Sequence, residues 1–266
     1  MLEYPLIDPV AVEIGPLQLR WYGLMYLLGF GLAWLLARIR AGRPGSGWQP
    51  QELPDLIALL ALGLILGARI GYVLFYEPWA LWQDPWFLFK IWQGGMSFHG
   101  GLLGVLICFY IFARKTGRKF FQVADFVAPL APLGLAAGRI GNFLNAELWG
   151  RPSDLPWAMV FPDPAAGPVP RHPSQLYQAG LEGVALFILL WVFSAKQRPR
   201  MAVSGMFALG YGCLRFGGEF FRAPDPHLGL VLFDFLSMGQ VLSIPLIILG
   251  MIMLVLAYRP KDAPRA

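Results

Sequence analysis

Charge is what this chain has least of. Only 14% of its 266 residues are Asp, Glu, Lys or Arg, against about 25% in a soluble domain. The deficit excludes an ordinary soluble core. Cysteine is almost absent: Cys108 and Cys213 are the only two. Both fall inside apolar runs and read as small apolar residues, not as a bridge or a metal pair. The three histidines, His99, His172 and His227, are too scattered for a metal site. No P-loop or dinucleotide fingerprint is present. No repeat stands out, which weakens an inverted-repeat transporter. The first residues carry Glu3, Asp8 and Glu13 and no basic region, so no signal peptide is expected there.

What is abundant is apolar surface. The chain is 57% hydrophobic, with mean hydropathy +0.56. A membrane span needs about 20 mainly apolar residues. Seven stretches qualify, at about 17–37, 55–75, 96–113, 121–144, 175–195, 202–221 and 236–258. Their length without strict alternation argues for helices. The expectation is an all-α integral membrane protein of seven transmembrane helices, a single domain over 1–266. It comprises an external N-terminal segment (1–16), an external cap at about 146–174 and a cytoplasmic tail (259–266). The cap holds seven prolines in 29 residues, and residues 76–95 hold four tryptophans, which suits a segment lying in the interface. Residues 222–235 form a third external loop. Glycines four apart, at Gly67/Gly71 and Gly134/Gly138, permit close helix packing.

The cations fall on alternate loops. Arg38, Arg40 and Arg43 follow the first stretch, and Arg114, Lys115, Arg118 and Lys119 follow the third. Lys196, Arg198 and Arg200 follow the fifth, and Arg259, Lys261 and Arg265 the seventh. The opposite side holds Arg20, Lys90, Arg151, Arg171 and Arg222. The positive-inside rule then puts the N-terminus outside and the C-terminus in the cytoplasm. The basic balance thus reflects topology and not a nucleic-acid surface.

Three arginines, Arg69, Arg139 and Arg215, lie within the apolar stretches. Each costs about 2.5–3.5 kcal/mol at the centre of a span. Such an arginine either pairs with Glu219 or Glu147 to lock helices together or serves a polar pocket. GARIG around Arg69 reads as packing. Around Arg139 stand Asn142, Asn145 and Glu147, and Tyr211, Arg215 and Glu219 form one helical stripe. Their density favours a cationic pocket toward the outer leaflet. His99 sits in GGMSFHGGLLG between glycine pairs. It reads equally as a hydrogen-bonded interfacial histidine or as a group that exchanges a proton near neutral pH. His172 shapes the cap, and His227 lies in a loop.

HGGLLG at 99–104, GRIGNFLNAELWGR at 138–151, RHPSQLY at 171–177, YGCLRFGGEFFR at 211–222 and WYGLMY at 21–26 together resemble the bacterial prolipoprotein diacylglyceryl transferases over essentially the whole chain. Ala146 stands where glycine is expected, and Gln93 where aspartate is. The resemblance implies a multi-pass enzyme of the bacterial inner membrane. It moves diacylglyceryl from phosphatidylglycerol to the lipobox cysteine of a prolipoprotein signal peptide and releases glycerol 1-phosphate. This is the first step of lipoprotein maturation and needs no metal or other cofactor. It implies His99, Arg139 and Arg215 as catalytic groups, with Tyr22, Asn142, Glu147, Gly150, Tyr211 and Glu219 binding substrate. Glu219 is an alternative base. A lipid or anion transporter is the competing class, but the cytoplasmic ends of the fourth and sixth stretches (FVAPLAPLGL, MFALG) lack the polar path it needs. A non-catalytic scaffold leaves the buried Arg–Asn–His–Glu set unexplained.

Overall fold

Helix α1 (Trp21–Ala41) starts four residues later than the apolar pattern suggests, because Leu17–Arg20 is taken up in a hairpin. In the computed structural model, which describes residues 2–15, 17–224, 229–232 and 235–260, strand β2 (Val10–Ile14) pairs antiparallel with β3 (Leu17–Arg20). Strand β1 (Leu2–Glu3) pairs in parallel with β4 (Met159–Val160), tying the N-terminal segment to the cap. Tyr4, Phe161 and Ala166 form a small buried cluster there, and the Tyr4 hydroxyl donates to the Phe143 carbonyl at 2.5 Å.

The remaining helices are α2 (Leu53–Phe75), the short α3 (Ala80–Gln83), α4 (Phe98–Lys115), α5 (Phe120–Val127), α6 (Ala131–Leu144), α7 (Ser174–Gln178), α8 (Leu186–Phe193), α9 (Ala202–Gly218) and α10 (Met238–Tyr258). A π-helical stretch, Ala179–Ala185, joins α7 to α8, and two short strands, β5 (Leu230–Leu232) and β6 (Leu236–Ser237), precede α10. Contacts divide the chain into two compact units, Met1–Ala33 with Asp125–Ala266, and Trp34–Ala124.

Seven spans are not what forms. Among the described residues five helices are long and apolar enough to cross a membrane: Trp21–Ala41, Pro50–Phe75, Phe98–Lys115, Ser174–Phe193 and Met238–Tyr258. The expected span at 121–144 is broken into α5 and α6, bent by 50°, and brings the count to six only if the pair is one span. Pro129 in the connecting turn and Pro132 at the start of α6 explain the break. A proline has no N–H to give and collides with the carbonyl four residues back. The expected span at 202–221 yields α9, only 17 residues. At 1.5 Å per residue that is about 25 Å, short of a hydrocarbon core of about 30 Å.

Within the smaller unit, α2 and α4 touch backbone to backbone. A Cβ on Gly104 would strike the Gly63 carbonyl, and one on Gly71 would stand 2.7 Å from the Gly100 Cα. The glycines following His99 therefore serve helix packing. Gly67 and Gly71 do likewise, whereas a Cβ on Gly134 or Gly138 meets nothing within 4 Å. Arg69, buried at 2% exposure, donates to the carbonyls of Phe87 (2.5 Å), Leu88 (3.1 Å), Gly95 (3.2 Å) and Gly94. It thus pins the segment that presents Trp79, Trp82, Trp86 and Trp92 as exposed rings.

In the larger unit, α9 and α10 pack through Gly205, Gly212 and Gly250. The start of α9 is fixed by Asp125, whose carboxylate accepts from Met201 N (2.6 Å) and from the Ser204 amide (2.8 Å) and hydroxyl (2.6 Å). His227, Lys261, Arg265, most of the tail and part of the 222–235 loop lie outside the described residues.

Candidate active site

Helices α6 and α9 carry their arginines near the ends that lead into the cap and its neighbouring loop. Arg139 and Arg215 meet on one carboxylate that sequence reasoning did not single out. Glu182 Oε2 lies 3.3 Å from Arg139 Nη2, and Glu182 Oε1 lies 3.2 Å from Arg215 Nη1. The Glu182 side chain is 1% exposed, and those of Arg139 and Arg215 are 20% and 12% exposed. Glu182 escaped notice because it sits within the apolar run expected to be a plain span. Gln175, Gln178 and Glu182 are spaced i, i+3, i+7 and all fully buried. That spacing was the available signal, since it places polar groups on one helical face.

Glu219 closes the other side. Its Oε1 is 2.5 Å from Arg215 Nη2 and 3.2 Å from Arg222 Nη1, and its Oε2 accepts from the Ser237 hydroxyl at 2.8 Å. The stripe along α9 therefore does pair Arg215 with Glu219 four residues on. Tyr211, one turn earlier, stacks on Phe207 at 5.9 Å.

Among the described residues Asn142 and Glu147 bind each other and neither pairs with an arginine. Asn142 Nδ2 donates to Glu147 Oε1 at 2.7 Å. The backbone on either side of Glu147 is strained, with Ala146 and Leu148 at φ 55° and 59°, a region that disfavours any side chain. The N-terminus of α7 holds it in place. Gln175 Nε2 donates to the Glu147 carbonyl at 2.6 Å, and the Ser174 hydroxyl to the Leu148 carbonyl at 3.0 Å. Strain over-determined by its surroundings is a mark of functional sites. The Ala146 anomaly acquires a backbone meaning here, since glycine adopts that φ without cost.

Gly150 is buried where the cap meets the chain after α9. Its amide donates to the His172 carbonyl at 2.9 Å, and the Arg151 amide to the Phe221 carbonyl at 3.0 Å. Tyr22 rests against α6 at Gly141, where a Cβ would stand 2.9 Å from its ring. His172, part-buried, lies 3.3 Å from the Tyr177 hydroxyl, and burial pushes its imidazole below the usual value of 6.5.

His99 belongs to the other unit. It is the second residue of α4, exposed, with its ring edge-on to Phe98 at 5.6 Å. Ser97 caps that helix by accepting from Gly100 N at 3.3 Å, and the Ser97 amide donates to the Ala68 carbonyl at 2.9 Å.

Half-buried arginines arranged on buried carboxylates, with N–H groups left over, suit an anion at the edge of an apolar phase. The family profile described as prolipoprotein diacylglyceryl transferase matches residues 9–256. The chain belongs to the prolipoprotein diacylglyceryl transferase family. Similar curated relatives are phosphatidylglycerol–prolipoprotein diacylglyceryl transferases. The one from Solidesulfovibrio magneticus is 59% identical over 251 residues, 94% of this chain and 95% of that protein. That from Coxiella burnetii is 59% identical over 262 residues, 98% and 100% of the two chains. That from Pseudomonas putida is 56% identical over 268 residues, 100% and 99%. For this transferase-family chain, the larger unit links Arg139 to Arg215 through Glu182, pairs Arg215 directly with Glu219, and joins Asn142 to Glu147.

Proposed function

We propose that this chain transfers the diacylglyceryl group of phosphatidylglycerol to the lipobox cysteine of a prolipoprotein, releasing glycerol 1-phosphate. It is a multi-pass protein of the bacterial inner membrane. The observation that carries the chemistry is the pair of guanidinium groups, Arg139 and Arg215, on the single buried carboxylate of Glu182.

In the reaction the substrate's sulfur attacks the glyceryl carbon that bears the phosphate oxygen. A C–S bond forms, the C–O bond breaks, and its electron pair leaves with the phosphate. The leaving group gains negative charge as the bond stretches. Fixed donors aimed at that charge lower the barrier without reorganising. Arg139 directs one N–H to Glu182, and among the described residues its other N–H groups have no protein acceptor, so they are available to phosphate oxygens. Asn142, Glu147, Tyr211 and Tyr22 line the same unit and are assigned to the headgroup. Gly150 acts through the backbone it allows.

The thiol proton needs an acceptor, because the thiolate is the nucleophile. His99 is assigned that role because it is exposed and histidine is the side chain most often used as a general base. Glu219 suits it less, since its oxygens already accept from Arg215, Arg222 and Ser237. Basic clusters follow the C-terminal ends of α1, α4 and α8. They support a cytoplasmic location for those ends and an external location for the N-terminal hairpin and the cap.

The test is transfer of labelled diacylglyceryl from phosphatidylglycerol to a lipobox peptide in detergent, with a Cys→Ser peptide as control. Label on the cysteine peptide alone is expected. Its absence, or equal labelling of the serine peptide, overturns the reading. Within that assay His99→Gln should bind phosphatidylglycerol but lose turnover, and near-normal turnover removes His99 from the base role.

A further inference from the structure

Glu182 takes no part in the bond changes above, yet both arginines converge on it. We propose that Glu182 is a positioning residue: it sets the separation and facing of the two guanidinium groups that grip the phosphate, and the π-helical stretch exists to aim it. The proposal rests on the phosphatidylglycerol reaction just described.

Each oxygen of the carboxylate serves a different arginine, at 3.3 and 3.2 Å. Neither pair is the two-pronged fork that guanidinium and carboxylate form when they bind for strength alone. Each arginine instead keeps N–H groups for another acceptor. The exposures are ordered the same way, with the carboxylate at 1% and the guanidinium side chains at 20% and 12%. Glu182 is thus the back wall, and an anion reaches the arginines from the open side without displacing it. Two like charges that share one carboxylate repel, so without it Arg139 loses its carboxylate partner and swings away, while Arg215 stays on Glu219.

The backbone is arranged to deliver it. Ala179–Ala185 is π-helical within an otherwise α-helical stretch from Ser174 to Phe193. Such bulges fit an extra residue into a helix, and one residue amounts to about 100° of helical rotation. The bulge is seated on α6 by Gly183, whose Cβ would lie 2.9 Å from the Ala136 Cα, one turn before Arg139. The same contact therefore places the carboxylate and its first arginine.

The test uses the full-length protein in detergent with phosphatidylglycerol and a lipobox peptide. It measures kcat, KM, inhibition by glycerol 1-phosphate and thermal unfolding for wild type, Glu182→Gln and Glu182→Asp. Removing the negative charge leaves the arginines more attractive to a phosphate but misplaced for the transition state. Glu182→Gln should therefore lose tenfold or more in kcat while glycerol 1-phosphate inhibits as well as before or better. Glu182→Asp keeps the charge on a side chain one methylene shorter. It should fold and retain product inhibition within about threefold, again with reduced kcat, so it decides the matter if the Gln variant does not fold. A folded variant of either kind with kcat within twofold of wild type overturns the proposal. So does a loss of kcat and of product inhibition together, in step with the unfolding temperature, which is the mark of a purely structural ion pair. Transfer absent from the wild type itself overturns the reaction and this proposal with it. Transfer by wild type with a normal Gln variant overturns this proposal alone.

Discussion

Replacing Gly150 by alanine tests whether the cap is fitted to the site without slack. The added Cβ would stand 2.5 Å from the Phe221 carbonyl oxygen and 2.6 Å from both Cβ and carbonyl oxygen of His172. Ordinary contact begins at 3.4 Å, so the surroundings must open by almost 1 Å, and two of the three neighbours are backbone. The obstacle is steric, for Gly150 is not among the positive-φ residues. The backbone bonds around it, Gly150 N to His172 O, Arg151 N to Phe221 O and His172 N to Arg151 O, are all 2.9–3.0 Å and resist that opening. Overpacking costs about 1–3 kcal/mol, and each hydrogen bond lost about 0.5–1.5 kcal/mol. A total of about 2–4 kcal/mol corresponds to a fall of roughly 5–15 °C in apparent midpoint for a chain this size. Phe221 precedes Arg222, which pairs with Glu219 and through it with Arg215, so transfer should fall at least tenfold even well below the midpoint. Gly31→Ala is the control. It is exposed on α1 with nothing within 4 Å, and should gain up to about 1 kcal/mol as helical Gly→Ala changes do. A Gly150→Ala protein with wild-type midpoint and wild-type transfer refutes the reasoning, because the predicted clash would then have been absorbed without consequence.

Arg139→Lys keeps the charge but not the planar fork, and transfer should drop by tenfold or more with the unfolding midpoint little changed; full activity would show that a point charge suffices. Ala146→Gly should relieve the left-handed strain at φ 55° and stabilise by about 0.5–1 kcal/mol; a lower midpoint would mean that the methyl's packing beside Tyr4 and Phe161 outweighs the strain. Arg69→Leu strands the carbonyls of Phe87, Leu88, Gly94 and Gly95, a loss of more than about 3 kcal/mol; protease should then cut within 76–95, and an unchanged digestion pattern would argue that the segment holds itself. Burial holds the His172 pKa below 6.5. The unfolded chain therefore binds the proton first as pH falls, and the stability this group contributes is full above about 6.5 and is lost below it; His172→Gln should flatten the pH dependence of the midpoint in that range, and an unaltered slope would assign it to other groups.

Much of the candidate site was legible without the fold because an arginine in an apolar run announces itself. Arg139, Arg215 and the cap motifs stood out by chemistry alone, and the pairing of Arg215 with Glu219 follows from helical spacing. Glu147 was a candidate partner for the arginines and turned out to serve Asn142. Glu182 was not a candidate, since one carboxylate hardly alters the hydropathy of a 20-residue helix. The glycines after His99 suggested a catalytic frame, and the coordinates give them to the contact of α2 with α4.

Sequence by itself determined the solvent this protein lives in, the family it belongs to and the charges its interior must accommodate, because those follow from composition and from motifs read in order. Tertiary structure alone decided how many helices are long enough to cross, which carboxylate the two arginines share, and which glycines are there for packing. Hydropathy adds residues along a line, so it averages over the bend at Pro129 and cannot tell which distant side chains a fold brings within 3.3 Å of each other.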